Sequence, residues 1–143
     1  GVWFMIKLTD SVFHQKVKNG SIEIRLHWTT DYNARFRLAQ KFVDSEVIRY
    51  SDPYTPKDSG ALIASAKSSS KIGQGVVGYN TPYARYQYYG KVMVGRAPKR
   101  LTNIPLKYHG DTNRGSKWFE RMKVAHKAQI LMGASKIIEG KGL

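Results

Sequence analysis

The prolines and glycines of residues 54–90 decide where this chain can be helical. Pro56 disfavours helical backbone at Thr55, so a helix arriving from the N-terminal side must stop there. Asp58 and Ser59 follow, both able to accept hydrogen bonds from free helical amides, and Gly60 lets another backbone approach closely. Leu62, Ile63 and Ala66 then fall at helical spacing, which predicts a short helix from Ser59 to about Ala66. After a polar turn over residues 67–75, Val76 to Tyr79 is β-branched and aromatic and reads as a strand. Asn80 and Thr81 suit a turn or cap. Pro82 suits the first position of a helix that carries Tyr83 to Tyr89 and ends at Gly90, a natural C-cap.

On either side of this stretch the periodicity changes. Tyr32, Phe36, Ala39, Val43, Val47 and Tyr50 recur at steps of three and four, predicting a helix over residues 31–50 that Ser51, Asp52 and Pro53 end. Before it, residues 21–28 alternate, with Ile22, Ile24, Leu26 and Trp28 on one side, so a strand with one buried face is expected. Asn19-Gly20 is a tight-turn dipeptide and closes a hairpin if residues 13–17 are extended; Val12, Phe13 and Val17 fit a helix or a strand equally. Residues 3–8 read as a short strand or a hydrophobic arm. At the other end, Ser116 is the expected cap of a last helix that starts with Trp118 and Phe119. Its apolar stripe is Phe119, Met122, His126, Ile130, Gly133 and Ile137, flanked by Trp118, Ala125 and Met132.

Little in the chain suggests catalysis. His14, His27, His109 and His126 are scattered without metal-ligand spacing, and there is no cysteine, which excludes disulfides and thiolate sites. Gly73-Gln74-Gly75 lacks the Lys-Ser/Thr of a phosphate loop. No catalytic residue, metal or cofactor is therefore expected, and the chain is not read as an enzyme. The apolar opening at residues 2–6 is too short for a membrane span, and a soluble protein is expected. With 143 residues, 41% of them hydrophobic, one domain with a real core is expected. The 24 basic residues against 10 acidic ones, a formal charge of +14, exceed what solubility needs and imply an anionic partner.

Two segments are candidates for meeting that partner. Tyr83, Tyr86, Tyr88 and Tyr89 crowd around Arg85, just after Tyr79. A short helix cannot bury them all, so core packing, a subunit interface and a nucleic-acid stacking platform share the cluster; core packing is expected for Tyr79 and Tyr83. Residues 91–117 hold Lys91, Arg96, Lys99, Arg100, Lys107, Arg114 and Lys117 against the single Asp111, and Pro98 and Pro105 exclude a continuous helix. Val92 to Val94 reads as a short strand, and the whole as an extended arm or hairpin reaching away from the core. Leu101, Ile104 and Leu106 interrupt the charge, which suits docking onto an acidic, partly apolar protein surface; contact with DNA phosphates is the alternative.

Pro56-x-Asp58-Ser59-Gly60-Ala61-Leu62, then Asn80-Thr81-Pro82-Tyr83-Ala84-Arg85-Tyr86-Gln87-Tyr88-Tyr89-Gly90, then Gly115-Ser116-Lys117-Trp118-Phe119-Glu120 stand in this order. In these residues the chain resembles the minor capsid protein family of tailed phages of Gram-positive bacteria. That family is a branch of the neck, or tail-completion, group related to the gp10-like protein of phage HK97. The resemblance covers residues 31–138; Ser59 stands where many relatives have threonine. It implies an α+β fold, with a small antiparallel sheet packed on one long central helix and a C-terminal helix, and with a long extended basic loop. It also implies a virion protein of the head-to-tail neck, assembled in the host cytoplasm. Such a protein forms a ring of six copies, or alternatively twelve, between the head-side connector and the tail terminator. DNA would pass through the ring with non-specific contacts at most. A free nucleic-acid-binding module is the competing function.

Overall fold

The computed structural model describes residues 1–6, 12–17, 20–25, 32–57, 59–95, 100–108 and 111–140. The protein is mixed α/β. Its elements run β1 (Val2–Met5), β2 (Val12–Val17), β3 (Gly20–Arg25), α1 (Tyr32–Ser51), a 3-10 turn (Asp52–Tyr54), α2 (Ala61–Ser69), β4 (Val76–Tyr79), α3 (Ala84–Tyr89), β5 (Lys91–Val94), β6 (Arg100–Pro105) and α4 (Trp118–Ile138).

Two long helices form the frame. α1 lies antiparallel to α4: Phe42 packs on Gly133, where a Cβ would stand 2.4 Å from its ring, and Tyr50 stacks on His126 at 4.3 Å. The stripe read from the sequence of α1 is its buried face at Ala39, Val43 and Val47. On α4 the expected stripe is buried at Phe119, Met122, Ile130 and Gly133, with His126 and Ile137 half-buried; Trp118 is buried on one flank of it and Leu131, Ala134 and Ile138 on the other, while Met132 is 61% exposed.

The N-terminal strand closes that core. β1 alternates, with Val2 and Phe4 inward and Trp3 and Met5 outward, and it pairs antiparallel with β4 from Val2↔Tyr79 to Met5↔Val76. Phe4 stacks on Phe119 at 4.3 Å and meets Tyr88 at 5.2 Å. Trp3 lies flat across Gly78, where a Cβ would stand 2.2 Å from the indole. Of the two readings of the N-terminus, strand or arm, residues 2–5 take the first. β2 and β3 form an antiparallel hairpin from Val12↔Arg25 to Val17↔Gly20, which resolves residues 12–17 as extended; Asn19 and residues 26–28 lie outside the described residues.

The expected single sheet is instead three two-stranded antiparallel pairs among the described residues: β1–β4, β2–β3 and β5–β6. Gly90 is the physical reason for the last separation. It caps α3 in the left-handed conformation (φ 70°), its N–H donating to Tyr86 O, and so sends β5 away from the β1–β4 pair.

Helix starts differ most from expectation. α2 begins at Ala61, behind a left-handed Gly60 (φ 84°) and with no side-chain cap bond; the Ser59 hydroxyl accepts from Ala61 N at a long 3.4 Å, and Asp58 lies outside the described residues. A Cβ on Gly60 would meet nothing within 4 Å, so the backbone angle, not a close approach, requires glycine there. Leu62 is buried as expected. Pro82 sits in the turn before α3 and not at its first position, and Asn80 ends β4, its N–H donating to the Ser65 hydroxyl. Ser116 does not cap α4; the position before the helix is Lys117, at φ 52°, whose N–H donates to Tyr88 O at 2.8 Å. A tertiary bond to α3 replaces the expected local one.

Candidate interface: a projecting hairpin and a cationic groove

Residues 91–117 divide into two parts of different character. The first part is the β5–β6 hairpin, paired at Lys91↔Pro105, Met93↔Leu101 and Val94↔Arg100, with an irregularity between Lys91 and Met93. Its base is fixed where Leu106 N–H donates to Gly90 O at 2.9 Å, and Thr102 Oγ1 donates to Val92 O at 2.6 Å. Arg100 and Ile104 are exposed, Ile104 by 58%, and Lys91 is half-buried. Neither outer edge of this ribbon is paired among the described residues. Arg96 and Lys99 lie outside the described residues, as does the side chain of Leu101.

The second part, residues 106–108 and 111–117, corrects the expectation of one continuous arm, because it folds back on its own subunit. Arg114 Nη1 donates to the carbonyls of Asp52 (2.6 Å) and Thr55 (2.8 Å), and Gly115 N–H to Tyr54 O (2.9 Å). Arg121 ties the same corner by donating to the carbonyls of Asn113, Ser116 and Tyr54. The Tyr108 hydroxyl donates to Gln87 O, and burial pushes its pKa up to about 12. Lys117 reaches over the rings of Tyr88 and Tyr89, 5.1 and 4.5 Å from their centroids. Asp52 O already accepts from Thr55 N–H within the 3-10 turn, while the carbonyls of Tyr54 and Thr55 stand at its end, and the guanidinium groups bind all three. Arg114 and Lys117 thus serve the fold, although they count as arm charges in the sequence.

The tyrosines sort themselves by helix geometry. α3 is six residues long, and Ala84 and Tyr88, four apart, face the core. Tyr88 is fully buried between Phe4 and Trp118, which removes it from the candidate contact residues. Tyr79 is buried too, its hydroxyl beside Ser51, Thr55 and Trp118, and burial raises its pKa to about 12. Tyr83, expected in the core, is 55% exposed, because it precedes the first turn of the helix. Arg85 is exposed, while Tyr86 and Tyr89 are half-buried.

Tyr83 and Tyr86, edge to face at 5.7 Å, form one wall of a groove of about 280 Å³. Gln87 continues that wall. Pro56 and Lys57 line it from the segment before α2, and Leu106, Lys107, Tyr108 and Arg114 from the returning limb. The groove therefore joins residues of both sequence motifs that flank β4. Lys57 and Lys107 are exposed, and none of the lining residues among those described is acidic. Sequence reasoning missed the groove because part of its lining comes from residues assigned to an arm.

A second missed feature is a buried carboxylate. Asp44 on α1 is fully buried; its Oδ2 accepts from Gly73 N–H (2.7 Å) and Gly75 N–H (3.0 Å), and its Oδ1 from Gln40 Nε2 (2.8 Å). Gly73 and Gly75 both have positive φ, and their amides converge on this oxygen while the Gln74 N–H between them donates to Lys71 O. The glycine pair that fails as a phosphate loop holds a carboxylate of its own chain.

Among the described residues, no group of three His, Cys, Asp or Glu side chains is placed to hold a metal ion. His126 stacks on Tyr50 with its Nδ1 2.9 Å from Gln129 Oε1. No helix of the described residues is long and apolar enough to cross a membrane. No protein-family model, curated protein or solved structure matches the chain.

Proposed function

We propose that this chain is a structural virion protein of the phage head-to-tail neck, a subunit of a ring that joins heads to tails. The observation that carries this reading is the β5–β6 hairpin. It is held at its base by the subunit, exposes Ile104 and Arg100, and leaves both edges unpaired among the described residues. An open edge is a template for a strand from another chain, and natural monomers normally cover or blunt it. The motif resemblance supplies the kind of assembly. A closed ring needs one patch to meet a different patch on the next copy, and the hairpin is the donor of that contact. Six copies are preferred and twelve are the alternative. The α1–α4 pair and the β1–β4 pair then form the wall of the ring, and the hairpin is its basic loop.

Replacing residues 92–104 by Asn-Gly closes the chain across the paired Lys91 and Pro105 and leaves the core and Leu106 in place. The variant is expected to unfold at nearly the wild-type temperature, while tail-less heads accumulate in infected cells. A normal yield of tailed particles from the shortened chain would remove the proposal.

The exposed Tyr83, Arg85 and Arg100 favour a second reading, a nucleic-acid-binding module. It predicts binding that weakens steeply with salt, and no binding to duplex or single strands at low salt excludes it.

A further inference from the structure

The groove between α3, the segment before α2 and the returning limb has a charge that restricts what fills it. Lys57 and Lys107 stand exposed at its sides, and among the described residues no acidic side chain lines it. Arg114 in its wall is committed to Asp52 and Thr55, so the lysines are the cations it offers to a ligand. Its apolar surface comes from the exposed ring of Tyr83, set edge-on to Tyr86, and from Leu106.

A second copy of this chain is a poor occupant. The segment that projects from the subunit is itself cationic, and the chain as a whole carries +14, so a hairpin entering this groove would set like charges together. A nucleic-acid strand is also disfavoured. Neutralising a backbone takes a cation for each phosphate along a track, and this groove of about 280 Å³ presents two lysines among the described residues. Two lysines flanking a tyrosine pair match a short peptide in which carboxylates bracket a large apolar side chain.

We infer that this groove is a docking site for an acidic, aromatic-bearing peptide segment of a different protein, with Lys57 and Lys107 pairing its carboxylates and Tyr83 packing its apolar side chain. The inference deepens the assembly reading and rests on it for the partner's being a protein. It assigns the two contact elements to different neighbours: the hairpin to the next copy in the ring, the groove to the protein above or below.

The test uses the whole chain and a fluorescein-labelled peptide, Glu-Asp-Leu-Phe-Glu-Asp, followed by anisotropy at low salt. Reversing both charges in Lys57→Glu/Lys107→Glu is expected to weaken binding about tenfold or more, as two lost ion pairs and the new repulsion together imply. Tyr83→Ala, at an exposed position, is expected to weaken it as well. The matched control Lys67→Glu/Lys136→Glu, with the same net charge and exposed positions away from the groove, is expected to change it less than about twofold. Equal losses in the two double variants, or no binding by the wild type, would overturn the assignment. So would a parallel loss for a short oligothymidylate, which would give the groove to nucleic acid. None of these results depends on the hairpin, so the peptide site and the neck reading fail separately.

Discussion

Trp118→Ala is expected to lower the unfolding free energy by about 3–5 kcal/mol, the range for truncating a large buried aromatic. Trp118 is fully buried at the meeting point of three elements. Its ring stands edge-to-face with Tyr79 of β4 at 5.2 Å and Tyr88 of α3 at 4.7 Å, and it begins α4. Truncation leaves a cavity that these elements cannot close without breaking the β1–β4 register or the Lys117 N–H bond to Tyr88 O. Domains of this kind are stable by only about 5–15 kcal/mol, so the loss should show as a fall of about 10 °C or more in Tm. Trp118→Phe keeps one ring and should cost distinctly less. Urea unfolding of the three proteins measures the series, and a loss below about 1 kcal/mol for the alanine variant would mean that the indole is not the keystone of the core.

Asp44→Ala is expected to cost about 3 kcal/mol, because it strands the buried Gly75 N–H and the Gly73 N–H with no acceptor and removes one of the two acceptors of the Gln40 amide, which keeps Ile6 O. The turn held by those amides also supplies Gly75 O to Ile6 N–H, so its loosening reaches β1. Asp44→Asn keeps an acceptor for the two glycines but turns an NH₂ group toward Gln40, and should cost about 1–2 kcal/mol. Burial outweighs the three hydrogen bonds and raises the Asp44 pKa above 3.8. A carboxyl raised by folding binds its proton more tightly in the folded than in the unfolded chain. Its titration therefore contributes stability below the unfolded value, and that contribution is lost as pH rises through the folded value. Wild type should accordingly gain on Asp44→Asn as pH falls from about 7 to about 4, read as the difference in Tm. A difference moving the other way would place the folded pKa below the unfolded one.

Much of the frame was legible because it is local. The three- and four-residue steps from Tyr32 to Tyr50 can be satisfied by one helix face, and Gly90 ends α3 because no other residue adopts its left-handed turn so cheaply. What was not legible depends on residues far apart in the chain. Nothing within a six-residue helix says which tyrosine faces inward; the ring of Phe4, from a strand more than eighty residues earlier, receives Tyr88 and leaves Tyr83 outside. Ser59 and Ser116 look like caps, but a left-handed Gly60 and a tertiary bond at Lys117 start those helices instead. Asp44 beside an apolar stripe looks like a solvated residue, since its amide partners lie 29 and 31 positions away. Arg114 reads as one more cation on an arm until the carbonyls of Asp52 and Thr55 are beside it.

The candidate site follows the same division. That residues 91–105 hold no continuous helix was readable from Pro98 and Pro105, and Lys91–Val94 and Arg100–Pro105 pair as strands. That residues 106–108 and 111–117 return, and in returning build the groove, was not, because hydrogen bonds to backbone carbonyls carry no sequence signature.

The central claim is that the hairpin exists to hold another polypeptide. It is tested most directly by placing a photo-crosslinking benzoylphenylalanine at Ile104, an exposed apolar position of the hairpin. The labelled chain is then assembled with head and tail proteins, and the irradiated particles are digested for mass spectrometry. Crosslinks from position 104 into another copy of the chain, or into a neighbouring virion protein, are the predicted result. Crosslinks confined to the same chain in assembled particles would contradict it.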